Sequence, residues 1–489
     1  MVFHPHHLAR TCLQGPLCYS PAAVSTNASP RGPLRESRSI AAFLSFLWPG
    51  LGQLYAGGRR QAVVFAVPAF AFLILVLYEA RQGFKVLLAR FIDPEFAFWA
   101  LLIILALGAW RVASVAHAYR MMPPADPVSP RTTKNQRAAL AALVAIIVAT
   151  HGVGGAIAYF DYSAFSGTFV PDISLGPVSS ETPPPDVYAS ESPGSFDPIT
   201  THAPITGRIT ILLTGMDQYT GRQERLYDSI MVVSLDTDTK KVAMVSVPRD
   251  SAYFPLYFGG TVSKTTRINS VVSYVQRGWI RSPDDPMTTF VKEVGYLVGI
   301  PIDYYAVMDL TGFVKMIDMV GGIDIDNPSL IDDPVYDWLD NSPPGFTLSA
   351  GPHHLDGRQA LAYVRSRHGT NNSDWKRASR QQDVMVALER KMASPDALLQ
   401  LPTLIQTLGS SVRTTFPANR IADMVALGDE IPAENISQVV LGPPYSDLNT
   451  STKPSTTCLR LDVIAPLSVE LFGSDSRYYG KKQYDTCPV

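Results

Sequence analysis

Cysteine is scarce in this chain, four among 489 residues, and no two stand at CxxC spacing. Thioredoxin-like redox chemistry therefore has no motif to rest on, and Cys12 and Cys18 are too isolated from other ligand types to suggest zinc. HExxH, GxSxG and GxxxxGK[ST] are also missing, so zinc-peptidase, α/β-hydrolase and P-loop chemistry have no signature. Charge imbalance is absent as well, with 41 Lys and Arg against 43 Asp and Glu. Residues 1–38 carry basic residues and an HPHH run but no apolar core of a cleavable signal peptide. They are expected to form a disordered cytoplasmic tail.

What the chain does have is apolar sequence, 46% of it, which rules out a wholly disordered protein. Four stretches stand out, at 39–58, 61–78, 96–119 and 138–160. The last three are near or above the roughly 20 residues that cross a bilayer. The first is interrupted by Pro49, Gly50 and Gly52 and either spans or lies re-entrant. Residues 39–160 thus read as a transmembrane region of three or four helices. Arg120, Arg131, Lys134 and Arg137 surround the single Asp126, whereas no Lys or Arg follows residue 160 before Arg208. By the positive-inside rule the last helix runs outward, and everything beyond about residue 160 is extracytoplasmic. In that compartment Cys458 and Cys487 are able to pair.

Residues 161–206 are rich in Pro, Ser and acidic side chains and read as a linker. From Arg208 the pattern changes. ITILLTG, SIMVVSL and KVAMVSV are strand-like runs, the last two joined by the turn DTDTK. MTTFVKEVGYLVG and LTGFVKMIDMVGG have helical spacing and end at glycines. Asp356 caps a short helix over GRQALAYV, and further helices are expected to about residue 445, followed by a tail to Val489. The fold class is α/β, a mixed central sheet flanked by helices, with a core domain at 207–395 and helices of the same domain at 396–445.

In a chain so evenly balanced, LAYVRSRHGTNNSDWKRASRQQ, residues 361–382, is unusual: it holds four Arg, one Lys and a His. An extended backbone puts Arg365 and Arg367 on one side. Helical spacing after Asp374 puts Arg377, Arg380 and Gln381 on neighbouring positions. Planar guanidinium groups bind phosphate oxygens bidentately, so clustered Arg points to phosphate, where a solvated basic face is the plainer alternative. Asp217 follows the first strand, Asp228 precedes the second, and Arg249 follows the third. Adjacent strands bring such residues to one sheet edge, and carboxylates beside phosphate suit Mg²⁺. His368, alone in a polar turn, is the weaker candidate for a base.

The runs ILLTGMD, YDSIMVVSLD, VAMVSVPRDS, RINSVVSY, GIPIDYYAVMDLTGFVKMIDMVGGIDI, LDGRQALAYVRSRH and SDWKRASRQQDVM occur in this order from 211 to 385. Together they resemble the LytR-CpsA-Psr family of bacterial envelope proteins over roughly residues 207–395. The resemblance implies a membrane-anchored, extracytoplasmic, Mg²⁺-dependent phosphotransferase. Such an enzyme moves a glycopolymer from a polyprenyl-pyrophosphate carrier to a cell-wall hydroxyl, as on peptidoglycan, and leaves polyprenyl phosphate. By position it implies Asp217 and Asp228 as metal ligands, and Arg249, Arg365, Arg367, Arg377 and Gln381 as pyrophosphate-binding residues. Asp228, Arg249, Arg365 and Arg367 would then be catalytic. The family's R-x-D has Leu226 in place of its arginine here, and Arg225 is the nearest substitute. The resemblance also implies an apolar cleft for the lipid, for which Leu310, Phe313, Val314 and Ile317 are candidates.

Three other classes compete. Nucleic-acid binding suits an Arg-rich stretch but not an exterior domain. A lipid-pyrophosphate hydrolase differs from the transferase only in the attacking group. A non-catalytic envelope scaffold or regulator is separated by activity alone.

Overall fold

A computed structural model describes residues 37–81, 83–123, 130–165, 188–189, 207–217, 226–340, 342–369, 372–392, 403, 407–408, 411–428, 430–452 and 455–481. Cys12, Cys18, Arg225 and Cys487, with most of the expected tail 1–38 and linker 161–206, lie outside the described residues. The chain divides into two compact units, Met1–Ala66 with Ala113–Val144, and Val67–Val112 with Ala145–Val489.

The first apolar stretch is broken into α1 (Arg38–Leu47) and α2 (Leu51–Tyr55) at Gly50, whose φ of 102° suits glycine alone. At 10 and 5 residues neither helix is by itself long enough to cross a bilayer. Next come α3 (Arg59–Ala80), α4 (Phe84–Arg90), α5 (Pro94–Met121) and α6 (Pro130–Phe165). Helices α3, α5 and the Lys134–Phe160 part of α6 are long and apolar enough to cross a membrane.

The extramembrane part of the second unit is built on a mixed sheet. Its strands, in chain order, start with β1 (Tyr188–Ala189), β2 (Arg208–Asp217), β3 (Leu226–Asp236), β4 (Lys241–Ser246), β5 (Ser251–Ala252) and β6 (Gly260–Thr261). They continue with β7 (Tyr304–Asp309), β8 (Ile323–Asn327), β9 (Ile331–Asp333), β10 (Phe346–Leu348) and β11 (Gly351–Leu355). The last are β12 (Val412–Thr414), β13 (Ile436–Val440), β14 (Ser446–Asn449) and β15 (Thr456–Leu459). Six of them form the central sheet in the order β12-β7-β2-β3-β4-β13. β2, β3 and β4 are antiparallel neighbours, while β7 runs parallel to β2 and β13 parallel to β4. The β3–β4 turn forms where Asp236 Oδ1 accepts the amides of Asp238 and Thr239 at 3.1 and 2.9 Å, an Asx turn.

Helices α7 (Val271–Gln276) and α8 (Pro286–Val298) belong to the core on one side of the sheet. α8 starts cleanly because Asp285 accepts the amides of Met287 and Thr288 with Pro286 in the first turn. α9 (Leu310–Met319), α10 (Gly357–Arg365) and α11 (Asp374–Met392) build a second core with β8–β11. α10 opens with a capping box between Asp356 and Gln359, as the sequence pattern predicts.

The C-terminal part differs from the expectation of helices and then a tail. Among the described residues of 411–445 one α-helix forms, α12 (Ile421–Gly428), but β12 and β13 there are edge strands of the central sheet. The expected tail holds structure: β14 and β15 pair, and α13 (Leu461–Phe472) buries Leu461, Ile464 and Phe472 in the same core as α8. Strands as short as SDLN and TTCL carry too few residues for an alternating pattern to show. Cys458 is disulfide-bonded.

Candidate functional site

Sheet and α9–α11 enclose a cavity of about 500 Å³. It crosses the sheet from Val412 on β12 to Arg249 beyond β4. Four strand spacings make this roughly 19 Å. Arginines gather at the β3–β4 side, and the opposite side is apolar.

A bulge places the key carboxylate. Gly215 pairs with Ser229 and Met216 with Tyr227, so Asp228 is the extra residue on β3. A bulge re-aims its side chain, here toward the cavity. Asp228 is therefore inside the strand rather than before it. Its Oδ2 lies 2.7 Å from Arg249 Nη1, and its Oδ1 accepts a long 3.4 Å contact from Asn269 Nδ2. Arg249 also faces Asp250 at 3.6 Å, and Asp250 faces Arg267 at 3.3 Å. Burial would lower the Arg249 pKa, but Asp228 and Asp250 more than offset it and hold it raised. Asp217 ends β2 opposite Leu226, and its side chain lies outside the described residues. Leu226 itself lines the cavity.

The two strand-like arginines arrive differently from the expectation. Arg365 is the last residue of α10, Ser366 turns extended at φ −57° and ψ 132°, and Arg367 follows. Both arginines line the cavity, while Ser366 between them points away and donates to Asp333 Oδ2 at 2.9 Å. The same oxygen accepts the amides of Arg367 and His368 at 3.0 and 3.1 Å. Burial alone would raise the Asp333 pKa; these bonds keep it below the ordinary carboxylate value. Gly369, at φ 90°, continues the turn so close to the Asp332 carbonyl that a Cβ would collide with it.

Arg377 is 8% exposed and pairs with Asp374 at 3.1 Å. Burial first, then the charges of Arg249 and Arg367, push its pKa down. Three guanidinium groups therefore repel one another at one place, with Asp228, Asp250 and Asp374 beside them. Arg365 Nη1 is buried with no hydrogen-bond partner among the described residues, and Arg249 Nε has only the 3.6 Å contact with Asp250. Buried donors of this kind are expensive unless something anionic meets them. Gln381 lines the same cavity and ties its walls together, accepting from Ser229 Oγ at 3.0 Å and donating to the Val364 carbonyl at 3.2 Å.

Arg380 does not join the cluster. Its guanidinium donates once from each nitrogen, to the carbonyls of Tyr363 and Ser366 and to Asn372 Oδ1, and so braces the turn. Burial lowers its pKa to about 10. His368 is half exposed and 3.7 Å from Asp333 Oδ1.

Of the lipid candidates, Leu310 and Phe313 line the cavity. Val314 and Ile317 instead pack into the second core, Ile317 completely. All four lie on one apolar stripe of α9 at i, i+3, i+4 and i+7, and Leu310 and Phe313 pack against the second core as well as lining the cavity. Met316 of the same helix and, from other elements, Met231, Val384, Leu388 and Val412 complete the apolar wall.

Sequence reasoning passed over Arg267, Asp250, Asn269 and Asp333. Arg267 and Asn269 lie in RINS and Asp250 follows Arg249, so nearness to motif residues was the signal available for them. No comparable signal marks Asp333, whose partners lie 33 to 35 positions away.

Comparison with known proteins gives the same region. The LytR_cpsA_psr family model matches residues 189–456. The regulatory protein MsrR of Staphylococcus aureus is 34% identical over 255 residues, 51% of this chain and 69% of that protein. The polyisoprenyl-teichoic acid–peptidoglycan teichoic acid transferase TagV of Bacillus subtilis is 32% identical over 219 residues, 45% of this chain and 51% of TagV. The crystal structure of B. subtilis TagV aligns with a TM-score of 0.43 at 23% identity, over 55% of this chain and 98% of that one. The match spans the sheet, the bulge carrying Asp228 and the arginine turn, and the chain belongs to the LytR_cpsA_psr family.

Proposed function

We propose that the chain is a membrane-anchored, multi-pass phosphotransferase whose extracytoplasmic domain moves a glycopolymer from a polyprenyl-pyrophosphate carrier to a cell-wall hydroxyl. The observation that carries this reading is a single cavity that joins clustered, partly unpartnered arginines to an apolar wall. Such a cavity suits a ligand with a polyanionic head and a hydrocarbon tail. The name of TagV as a teichoic acid transferase supports the same class. MsrR carries a regulatory name, and transfer activity is what separates the two readings.

In this reading Arg249, Arg365, Arg367 and Arg377 grip the pyrophosphate oxygens, and Gln381 holds the turn and β3 in register around them. The acceptor hydroxyl oxygen attacks the glycan-side phosphorus. Its bond to the bridging oxygen breaks, polyprenyl phosphate leaves, and the hydroxyl proton is released. Charge growing on the phosphoryl and bridging oxygens falls to the guanidinium groups. Asp228 fits Mg²⁺: one oxygen is held by Arg249, and the other has only a 3.4 Å contact. One or two carboxylates with phosphate oxygens suffice for that ion. When bound it would neutralise phosphate charge, with Asp228 and, by position, Asp217 as protein ligands.

The test is transfer by the full chain in vesicles carrying a polyprenyl-pyrophosphate glycan and a peptidoglycan acceptor. Wild type is expected to release polyprenyl phosphate in step with acceptor labelling, and Asp228→Ala to lose about a hundredfold in rate with a flattened Mg²⁺ response. Labelling without wild-type release, or release that needs no acceptor, would defeat the reading.

Topology is tested separately. Single cysteines at Asp126 and Asp186 in a background without native cysteines should separate, with Asp186→Cys labelled by an impermeant reagent on intact cells and Asp126→Cys protected. The opposite pattern reverses the assignment.

A further inference from the structure

Helix α4 plays no part in the reading above, yet it touches the wall of the cavity. Val86, Ala89 and Ile92 are nearly inaccessible and form one cluster with Leu408 and with Ala422 of α12. Met316 of α9 and Val412 of β12 pack against that cluster and also line the cavity. One layer of side chains therefore separates α4 from the apolar side of the site. The helix has little freedom to leave. Only residues 81–83 and 91–93 join it to α3 and α5, and Arg90 is paired with Glu79 at the end of α3. The Phe91 ring also meets Phe96 of α5 edge-on at 5.3 Å.

A short helix fixed between two bilayer-crossing helices sits at the membrane surface. Its packing on α12 brings the apolar side of the cavity, the side away from the arginines, to that surface. We propose that α4 is the outer wall of the lipid-tail site and sets it against the bilayer, so that a long polyprenyl tail runs from membrane to cavity past Met316 and Val412 without crossing water. α4 is then a specificity element for long-chain donors, and this rests on the transferase reading.

The experiment compares two donors with the same glycan and pyrophosphate: a long polyprenyl donor in vesicles and a short, water-soluble prenyl donor. Ala89→Asp and Ala422→Asp each put a carboxylate in the cluster from opposite sides. Transfer from the long donor is expected to fall about tenfold or more while the short donor keeps its rate within about twofold. The short-donor rate doubles as the check that the domain is folded. Equal loss on both donors in a protein with an unchanged melting temperature, or no loss on either, overturns the role of α4 and leaves the transferase reading standing. Wild type inactive on both donors overturns both. A second variant does not depend on disruption: Ala89→Cys with Ala422→Cys, joined by a short thiol crosslinker, should retain long-donor transfer, because a fixed wall has no need to move. Loss of that transfer on crosslinking also overturns the proposal.

Discussion

Lysine in place of Arg365 or Arg377 is expected to lower transfer about a hundredfold, with the formal charge retained. Arg377 makes the case most sharply. It is buried, and Arg249 and Arg367 are near enough to depress its pKa, a pressure that a guanidinium withstands. A lysine at the same place starts from an ordinary value near 10.4 and meets the same burial and repulsion, so it loses both the planar fork and part of its charge. At Arg365 the buried Nη1 waits for a partner, and the guanidinium lies 6.0 Å from the centre of the Tyr336 ring. An ammonium there offers no second parallel donor. The measurement is polyprenyl phosphate release for the Lys and Ala variants at low and moderate salt, beside thermal unfolding. Arg380→Lys is the contrast, since its fork donates to the Tyr363 and Ser366 carbonyls and Asn372, and it should lose melting temperature first. Lys variants at wild-type rate would make the cluster a solvated basic face.

What the sequence could reveal depended on the range of the interaction. The strands of ITILLTG, SIMVVSL and KVAMVSV, the Asp356 cap and the three long apolar helices rest on local pattern, and each is where the pattern puts it. The arginines were legible because composition alone set their stretch apart from a balanced chain. Which of them face the cavity was not: Arg377 does and Arg380 does not, although both lie on α11 three positions apart. Helical spacing fixes a face to within a turn, and the long side chain decides the rest. The bulge at Asp228 was hidden because a bulge exists only between two paired strands. The α4 cluster was hidden for a similar reason, since its partners Met316, Leu408, Val412 and Ala422 are far away in the chain.

Asp333 shows the same principle and carries the last expectation: removing its carboxylate should disable the site without touching a single arginine. It is 1% exposed, and one oxygen receives the Ser366 hydroxyl and the amides of Arg367 and His368. Those three donors set the turn that presents Arg365 and Arg367. Asp333→Ala leaves the buried Ser366 hydroxyl and the part-buried amides of Arg367 and His368 without this acceptor, a loss of roughly 1–3 kcal/mol, while Asp333→Asn keeps a carbonyl oxygen but gives up the charge that strengthens each bond. The Ala variant is expected to lose melting temperature and at least about a hundredfold in transfer, the Asn variant far more transfer than stability. Inorganic pyrophosphate gives a readout that simple destabilisation would not move: it should raise the melting temperature of wild type and fail to raise that of Asp333→Asn. The pH dependence has a definite sign. Because the folded Asp333 pKa lies below the ordinary value, its contribution is fully present above the unfolded carboxylate range near 3.9 and is lost as pH falls through the folded value. Wild type should therefore shed stability on acidification more steeply than Asp333→Asn, whose amide does not titrate. Equal acid sensitivity in the two proteins, together with an undiminished pyrophosphate shift in the variant, would show that the turn keeps its shape without the carboxylate.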